Sequence, residues 1–220
     1  MRLVCVADTH LYESGFEIPD GDVFIHAGDL LRRGTLEELA PAAEWIRGLP
    51  HRHKVVVAGN HDWCFVRDPQ HARAALGPTV HYLQDTEITI DGARIWGSPW
   101  QPEFFSWAFN LARGPEIAAR WALIPAAVDV LITHGPPRGY GDLTQLSHEG
   151  CDDLLAELAR VQPALHLFGH IHEDGGSWRH GPTVIANVTT WECSRDATVF
   201  DYDPKTRTVV EVCVPPTSTC

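Results

Sequence analysis

Five short apolar runs in this chain each end in an acid, an amide or an imidazole. Leu3–Ala7 (LVCVA) runs into Asp8, and Val23–Ala27 (VFIHA) into Gly28-Asp29. Lys54–Ala58 (KVVVA) runs into Gly59-Asn60-His61-Asp62, Val128–Thr133 (VDVLIT) into His134, and Ala164–Phe168 (ALHLF) into Gly169-His170. Runs this short, rich in β-branched residues and without clear polar alternation, predict strands buried on both faces. Such strands need a covering layer on each side. Ligands in layered α/β folds gather beyond the carboxyl ends of the strands, which is where these five polar residues fall.

The intervening segments supply the covering layers. Thr35 reads as an N-cap with Glu38 three positions on, followed by Leu36, Leu39, Ala43 and Ile46 at helical spacing. Pro69–Leu76 predicts a short helix. Pro115 opens another over Glu116–Leu123, and Cys151–Val161 carries Asp152 and Asp153 in its first turn and ends before Pro163. Asp91-Gly92 between two alternating runs predicts a hairpin over Glu87–Trp96. Thr183–Val188, Ala197–Tyr202 and Thr208–Val214 read as further strands, the last two joined by the turn Asp203-Pro204-Lys205. Strand–helix alternation mixed with hairpins indicates an α/β layered fold. Residues 1–214 are expected to form a single domain, followed by a short tail, Pro215–Cys220, that is expected to fray.

Composition narrows the chemistry. The net charge is −12, and there is no Lys/Arg run to grip a polymeric phosphate backbone, so a nucleic-acid polymer is not the expected partner. A small phosphate ester held through metal ions is compatible with an acidic surface. The six cysteines form no CxxC pair and read as free thiols. No signal-peptide pattern, membrane span or prenylation box is present, so no membrane partner and a cytoplasmic location are expected. Of the 13 histidines, His51, His53, His71, His81 and His180 lie in polar or loop-like contexts and read as surface residues.

The remaining pattern is Asp8-x-His10, Gly28-Asp29, Gly59-Asn60-His61-Asp62, His134 and Gly169-His170-x-His172. Taken singly, each block has a bland reading as a capped strand end, a turn or a core histidine. Jointly, at five strand ends, they form an oxygen-and-nitrogen ligand set without sulfur, suited to Mn, Fe or Zn ions. The i, i+2 spacing of Asp8/His10 and His170/His172 would place each pair on one side of a strand. Two divalent ions about 3.5–4 Å apart bind both a nucleophile and a phosphoryl oxygen. Ions held there would acidify a water into a nucleophile near neutral pH.

These five blocks resemble the signature of the calcineurin-like metallophosphoesterase superfamily, in the same order. Further blocks are similar to its small metallophosphoesterase domain-containing branch, related to class III cyclic nucleotide phosphodiesterases. They are Trp96-Gly97-Ser98-Pro99-Trp100-Gln101-Pro102, Ala108-Phe109-Asn110-Leu111-Ala112-Arg113-Gly114, Thr133-His134-Gly135-Pro136-Pro137, Gly139-Tyr140-Gly141-Asp142 and Phe168-Gly169-His170-Ile171-His172-Glu173. The chain departs from the usual pattern at Ala7 and Leu11, neither of which is a ligand position. The resemblance implies a four-layer αββα sandwich of two mixed sheets flanked by helices. It also implies two divalent metal ions, Mn²⁺ first and Fe or Zn as alternatives. Asp8, His10 and His172 would hold the first, and Asn60, His134 and His170 the second, with Asp29 bridging. His61 and Asn60 would face the substrate phosphate, His61 as proton donor to the leaving oxygen, with Asp62 orienting it. The implied activity is hydrolysis of small phosphodiesters, including 2′,3′- or 3′,5′-cyclic nucleotides. Phosphomonoesterase or nucleotide pyrophosphohydrolase activity is the alternative, and a scaffold that has lost catalysis is the reading from another class. Relatives dimerise, so a homodimer is also an expectation of the resemblance.

Outside the signature, the sequence allows Trp100, Phe104, Phe105 and Trp107 either to wall a pocket or to pack the layers together, and packing is preferred. Arg138 and Tyr140 read as substrate contacts or as parts of a rigid turn. Asp142 reads as a loop cap, Cys64 as a helix core residue, and Glu173 and Asp174 as acceptors for the ligand histidines.

Overall fold

The computed structural model describes residues 1–213. Val214, the end of the last predicted strand, and the predicted tail Pro215–Cys220 lie outside the described residues. In chain order the elements are β1 (Arg2–Val6), β2 (Val23–Ala27), α1 (Leu36–Gly48), β3 (His53–Val57), α2 (Cys64–Arg67), α3 (Pro69–Leu76), β4 (Val80–Tyr82), β5 (Thr86–Ile90), β6 (Ala93–Ser98), β7 (Gln101–Pro102), β8 (Asn110–Leu111), α4 (Pro115–Trp121), β9 (Val130–Thr133), α5 (Asp152–Val161), β10 (Leu165–Phe168), β11 (Gly176–His180), β12 (Thr183–Asn187), β13 (Thr198–Asp203) and β14 (Thr208–Val212).

Two six-stranded sheets form, in the orders β14-β13-β1-β2-β3-β4 and β11-β12-β10-β9-β6-β5. In the first, β1 to β4 run parallel and β13–β14 is an antiparallel edge hairpin. In the second, β6, β9, β10 and β12 run parallel between antiparallel edges β5 and β11. Alternate residues of the parallel strands serve different cores. Leu3, Cys5, Ile25, Val55 and Val57 pack between the sheets against Ile95, Val130, Ile132, Leu165 and Leu167. Val6, Phe24 and Val56 face outward onto Leu39, Ala43, Ile46 and Phe65 of the first helical layer. Trp96, Leu131, Phe168 and Ile185 face the other way onto Ile117, Trp121, Leu154 and Leu158. The result is the expected four-layer αββα sandwich, and the uninterrupted apolar runs are strands sealed on both faces.

The local signals act as their chemistry requires. Thr35 Oγ1 accepts from Glu38 N (3.2 Å), while the Glu38 carboxylate reaches back to Arg33 N and Gly34 N. Pro41 lies inside α1, where it removes a donor, but the buried face Leu39, Ala42, Ala43 and Ile46 holds the helix through it. Asp91 (φ 48°) and Gly92 (φ 87°) form the two-residue turn between β5 and β6, both in the left-handed region such a turn needs. His51 corrects the surface reading. It is buried, its Nε2 bonds the Pro19 carbonyl (3.0 Å), and burial lowers its pKa. No helix among the described residues is long and apolar enough to cross a membrane.

Candidate metal centre

The ends of β1, β2, β3, β9 and β10 meet at one edge of the sandwich and deliver Asp8, Asp29, Asn60–His61, His134 and His170. The backbone there is not strand. Asp8 (φ 57°), His10 (φ 47°), Asp29 (φ 58°) and His170 (φ 74°) all occupy the left-handed region, and His172 opens a 3-10 turn, His172–Asp174. The convergence of Asp8 with His10, and of His170 with His172, therefore comes from sharp turns after the strands, which corrects the pleat argument. Asp and His tolerate this conformation better than most residues, and such strain concentrates where a site demands a fixed geometry. Glycine is required beside it: a Cβ at Gly59 would collide with Asp29 Oδ1 and the His134 ring.

The candidate ligand atoms face one another. Asn60 Oδ1 lies 2.9 Å from His134 Nε2 and 2.8 Å from His170 Nδ1. Asp29 Oδ2 lies 3.4 Å from His134 Nε2 and 3.8 Å from His10 Nε2. Asp8 Oδ1 lies 3.7 Å from His172 Nε2. Three overlapping groups, Asp8/His10/His172, His10/Asp29/His61 and Asp8/Asp29/His134, each bring their ligand atoms within 4.8 Å of one another. Asp8, His10 and Asp29 each belong to two of them, so the groups form one continuous cluster.

Electrostatics test the fit to a cation. Burial alone would push His134 down, but the carboxylates of Asp29 and Asp8 outweigh it and hold its pKa up at about 9. Burial would raise Asp29, yet the neighbouring imidazoles, His134 first, hold it well below the usual carboxylate range. Asp8 is likewise lowered against its burial by His172 and His134. Two buried carboxylates thus call for positive charge beside them, which is what favours a proton on His134. A divalent ion would meet the same demand and displace that proton.

Three of the five imidazoles are oriented from behind by a backbone carbonyl. His10 Nδ1 donates to Leu31 O (3.0 Å), His61 Nδ1 to Arg32 O (2.8 Å) and His134 Nδ1 to Ala27 O (3.0 Å). These bonds place the proton on Nδ1 and leave Nε2 for the site. All three carbonyls belong to one stretch, residues 27–32, which starts at the last residue of β2. The Asp62 carboxylate secures that stretch, accepting from the N–H groups of Asp29 (3.1 Å), Leu30 (3.3 Å), Leu31 (3.0 Å) and Gly59 (2.8 Å). Burial and the Asp29 charge raise the Asp62 pKa to about 7, opposed by those N–H donors. Here the sequence expectation is corrected: Asp62 does not orient His61 directly, because its lone pairs are committed to backbone donors.

Further expectations change. Phe104 sits edge-on to His170 (centroids 5.0 Å, 70°) and Trp107 stacks on His61 (4.3 Å, 28°), while Phe105 is 87% exposed. Phe104 and Trp107 therefore line the centre, while Trp100, partly buried against two cores with its Nε1 on Asp85, fulfils the packing role. Asp174 does not serve the ligand histidines, since its Oδ2 accepts from Leu143 N. Arg138 bonds the His148 carbonyl and Tyr140 the His180 ring, so both belong to the rigid turn. Asp142 caps its loop through Gly150 N (2.9 Å), and Cys64 is buried. The sequence reading missed residues 27–32 as orienting groups. Their contribution is carbonyl oxygens, which no side-chain pattern reports. It also missed the buried pairs His26–Thr9 (3.0 Å) and His166–Thr133 (2.9 Å), each beside a candidate ligand.

Comparison with known proteins agrees with this geometry. Residues 1–191 match the family described as "Calcineurin-like phosphoesterase". The human protein named metallophosphoesterase domain-containing protein 1 is 41% identical over 213 residues, covering 86% of this chain and 65% of the human protein. The chain thus spans just under two thirds of that relative's length. A UPF0046 protein of Caenorhabditis elegans is 39% identical over 208 residues, covering 89% of this chain and 71% of its own. Among solved structures, the phosphopantetheinyl hydrolase of Mycobacterium tuberculosis superposes with a TM-score of 0.58 at 17% identity, covering 99% of this chain and 98% of that one, a likeness of fold.

Proposed function

The chain belongs to the calcineurin-like phosphoesterase family, and on that premise we propose that it is a two-metal phosphodiesterase acting on small phosphodiesters, cyclic nucleotides among them. The observation that carries the proposal is the meeting of two carboxylates, one carboxamide and four imidazoles from five strand ends, with His61 alongside. Asp8, His10 and His172 would hold one ion, and Asn60, His134 and His170 the other, with Asp29 shared. Manganese is the ion we propose, since every donor is oxygen or nitrogen. Such ions supply charge stabilisation for the phosphoryl oxygens and acidify a water to a nucleophile.

The chain's own groups do the rest. His61, tethered at Nδ1, presents Nε2, and in its imidazolium form it gives the Nε2 proton to the leaving oxygen while Nδ1–H stays on Arg32 O. Asn60 commits Oδ1 to the ligand cluster, which leaves its NH₂ for a phosphoryl oxygen. Phe104 and Trp107 add an apolar wall beside these groups, suited to the non-phosphate part of a small ester. The −12 charge favours such a substrate over a polymer. The five described cysteines are free thiols, which supports a reducing, cytoplasmic setting as part of the proposal.

The test is hydrolysis of bis(p-nitrophenyl) phosphate beside p-nitrophenyl phosphate by metal-stripped protein with Mn²⁺ restored. Metal-dependent cleavage favouring the diester is the expected result, followed by a cyclic-nucleotide panel. Monoester preference would turn the assignment to a phosphatase. Silence on both with metal bound would overturn the assignment in favour of a scaffold.

A further inference from the structure

The blocks Trp96–Pro102 and Ala108–Gly114 contribute no candidate ligand, yet the loop between them closes on the centre. Its base is the two-residue parallel ladder β7–β8, Gln101 opposite Asn110 and Pro102 opposite Leu111. Two amides brace it. Gln101 Nε2 donates to Ala108 O (2.6 Å) and Asn110 Oδ1 (2.9 Å), and Asn110 Nδ2 donates to Phe104 O (2.8 Å). Ala108 N donates to Asn60 O (3.1 Å), which fastens the loop to the segment that carries His61.

From this braced loop Trp107 lies on His61 with centroids 4.3 Å apart and 28° between the rings. His61 has two other constraints, the Nδ1 bond to Arg32 O (2.8 Å) and the edge of His10 (4.7 Å, 73°). A single hydrogen bond leaves a ring free to pivot about its axis. A flat partner against the ring face removes that freedom.

We propose that Trp107 is a positioning residue whose indole holds the His61 imidazole in the orientation from which Nε2 reaches the leaving oxygen. The proposal rests on the reading of His61 as proton donor in the phosphodiesterase reaction. It gives the aromatic loop a role in the chemical step, with Gln101 and Asn110 as its braces.

The experiment compares wild type, Trp107→Ala, Trp107→Phe, His61→Ala and the double variant Trp107→Ala/His61→Ala. Each is reconstituted with Mn²⁺ and measured for metal content, Tm, kcat and KM on bis(p-nitrophenyl) phosphate. Misplacement by about 1 Å lowers rates on the order of 100-fold, so Trp107→Ala should lose roughly 10- to 100-fold in kcat, with both metals retained and KM changed less than about two-fold. Trp107→Phe should recover most of that loss. In the His61→Ala background, Trp107→Ala should cause no further loss, because the two act as a unit. Should Trp107→Ala fail to fold, Asn110→Ala replaces it, since it loosens the loop without touching His61. Its loss should likewise vanish without His61. A normal kcat in Trp107→Ala, an equal loss with and without His61, or a raised KM at unchanged kcat would each overturn the proposal. In those cases the wild type is active and the phosphodiesterase reading stands. A wild type silent on the diester overturns that reading and the role of Trp107 with it.

Discussion

At the scale of single residues, three imidazoles of the centre have their second nitrogen held by the backbone. His10, His61 and His134 all give Nδ1 to carbonyls between residues 27 and 32. The three share this anchor but not their proposed role, since His10 and His134 would hold metal and His61 would act beside it. His61→Ala should keep both ions and lose about 10²–10⁴-fold in rate, as removal of a general acid does. Asn60→Ala should lose about one metal equivalent along with its rate, since Oδ1 joins the His134–His170 group. Metal content measured beside kcat distinguishes the two. Asp62→Asn tests the corrected role. Charged hydrogen bonds contribute about 1.5–3 kcal/mol each, so weakening the hold on residues 29–31 should lower Tm and metal affinity together. A group that served His61 alone would change the rate and leave both untouched.

At the scale of elements, burial on both faces makes the central strands sensitive to any polar group they contain. His166 in β10 is fully buried. The Thr133 hydroxyl donates its proton to Gly135 O (2.7 Å), so His166 Nε2 must donate to Thr133, and Nδ1 has no partner. Burial depresses its pKa from 6.5 to about 3. The folded state therefore keeps His166 neutral while the unfolded chain takes a proton below pH about 6.5. Stability from this residue is fully present above pH 6.5 and is lost progressively as pH falls toward 3. His166→Gln, which keeps a donor to Thr133 and cannot titrate, should flatten the fall of Tm between pH 6.5 and 4. An identical acid limb in the variant would show that His166 contributes nothing to it.

At the scale of the whole molecule, two sheets from distant stretches of chain meet so that their carboxyl ends share one edge. Asp8 spans this joint, since its carboxylate accepts from His170 N (3.0 Å) across 162 residues of sequence. The centre therefore ties the first sheet to the second, and its excess of buried negative charge opposes that closure. An ion bound only by the folded state stabilises it by mass action, about 2.7 kcal/mol at a concentration 100 times Kd. Removing metal with a chelator should lower Tm, and Mn²⁺ should restore it in proportion to the logarithm of its concentration. A Tm indifferent to both would contradict metal binding at this edge.

The strand runs, the Asp91-Gly92 turn, the Thr35 cap and the polar residues that gather at the strand ends were legible in the sequence. Burial pattern, turn conformation and ligand chemistry are properties of a residue and its near neighbours. The partners of those residues were not legible. Asp62 serves the backbone 31 to 33 positions away, and His61 is held by Arg32 O on one side and Trp107 on another. His51 is buried although its neighbours are polar. Carbonyl acceptors leave no side-chain signature, and an irregular loop has no period from which its facing can be read. Only the packing of the two sheets, which brings residues 8, 29, 60, 107, 134 and 170 to one edge, decided what each of them touches.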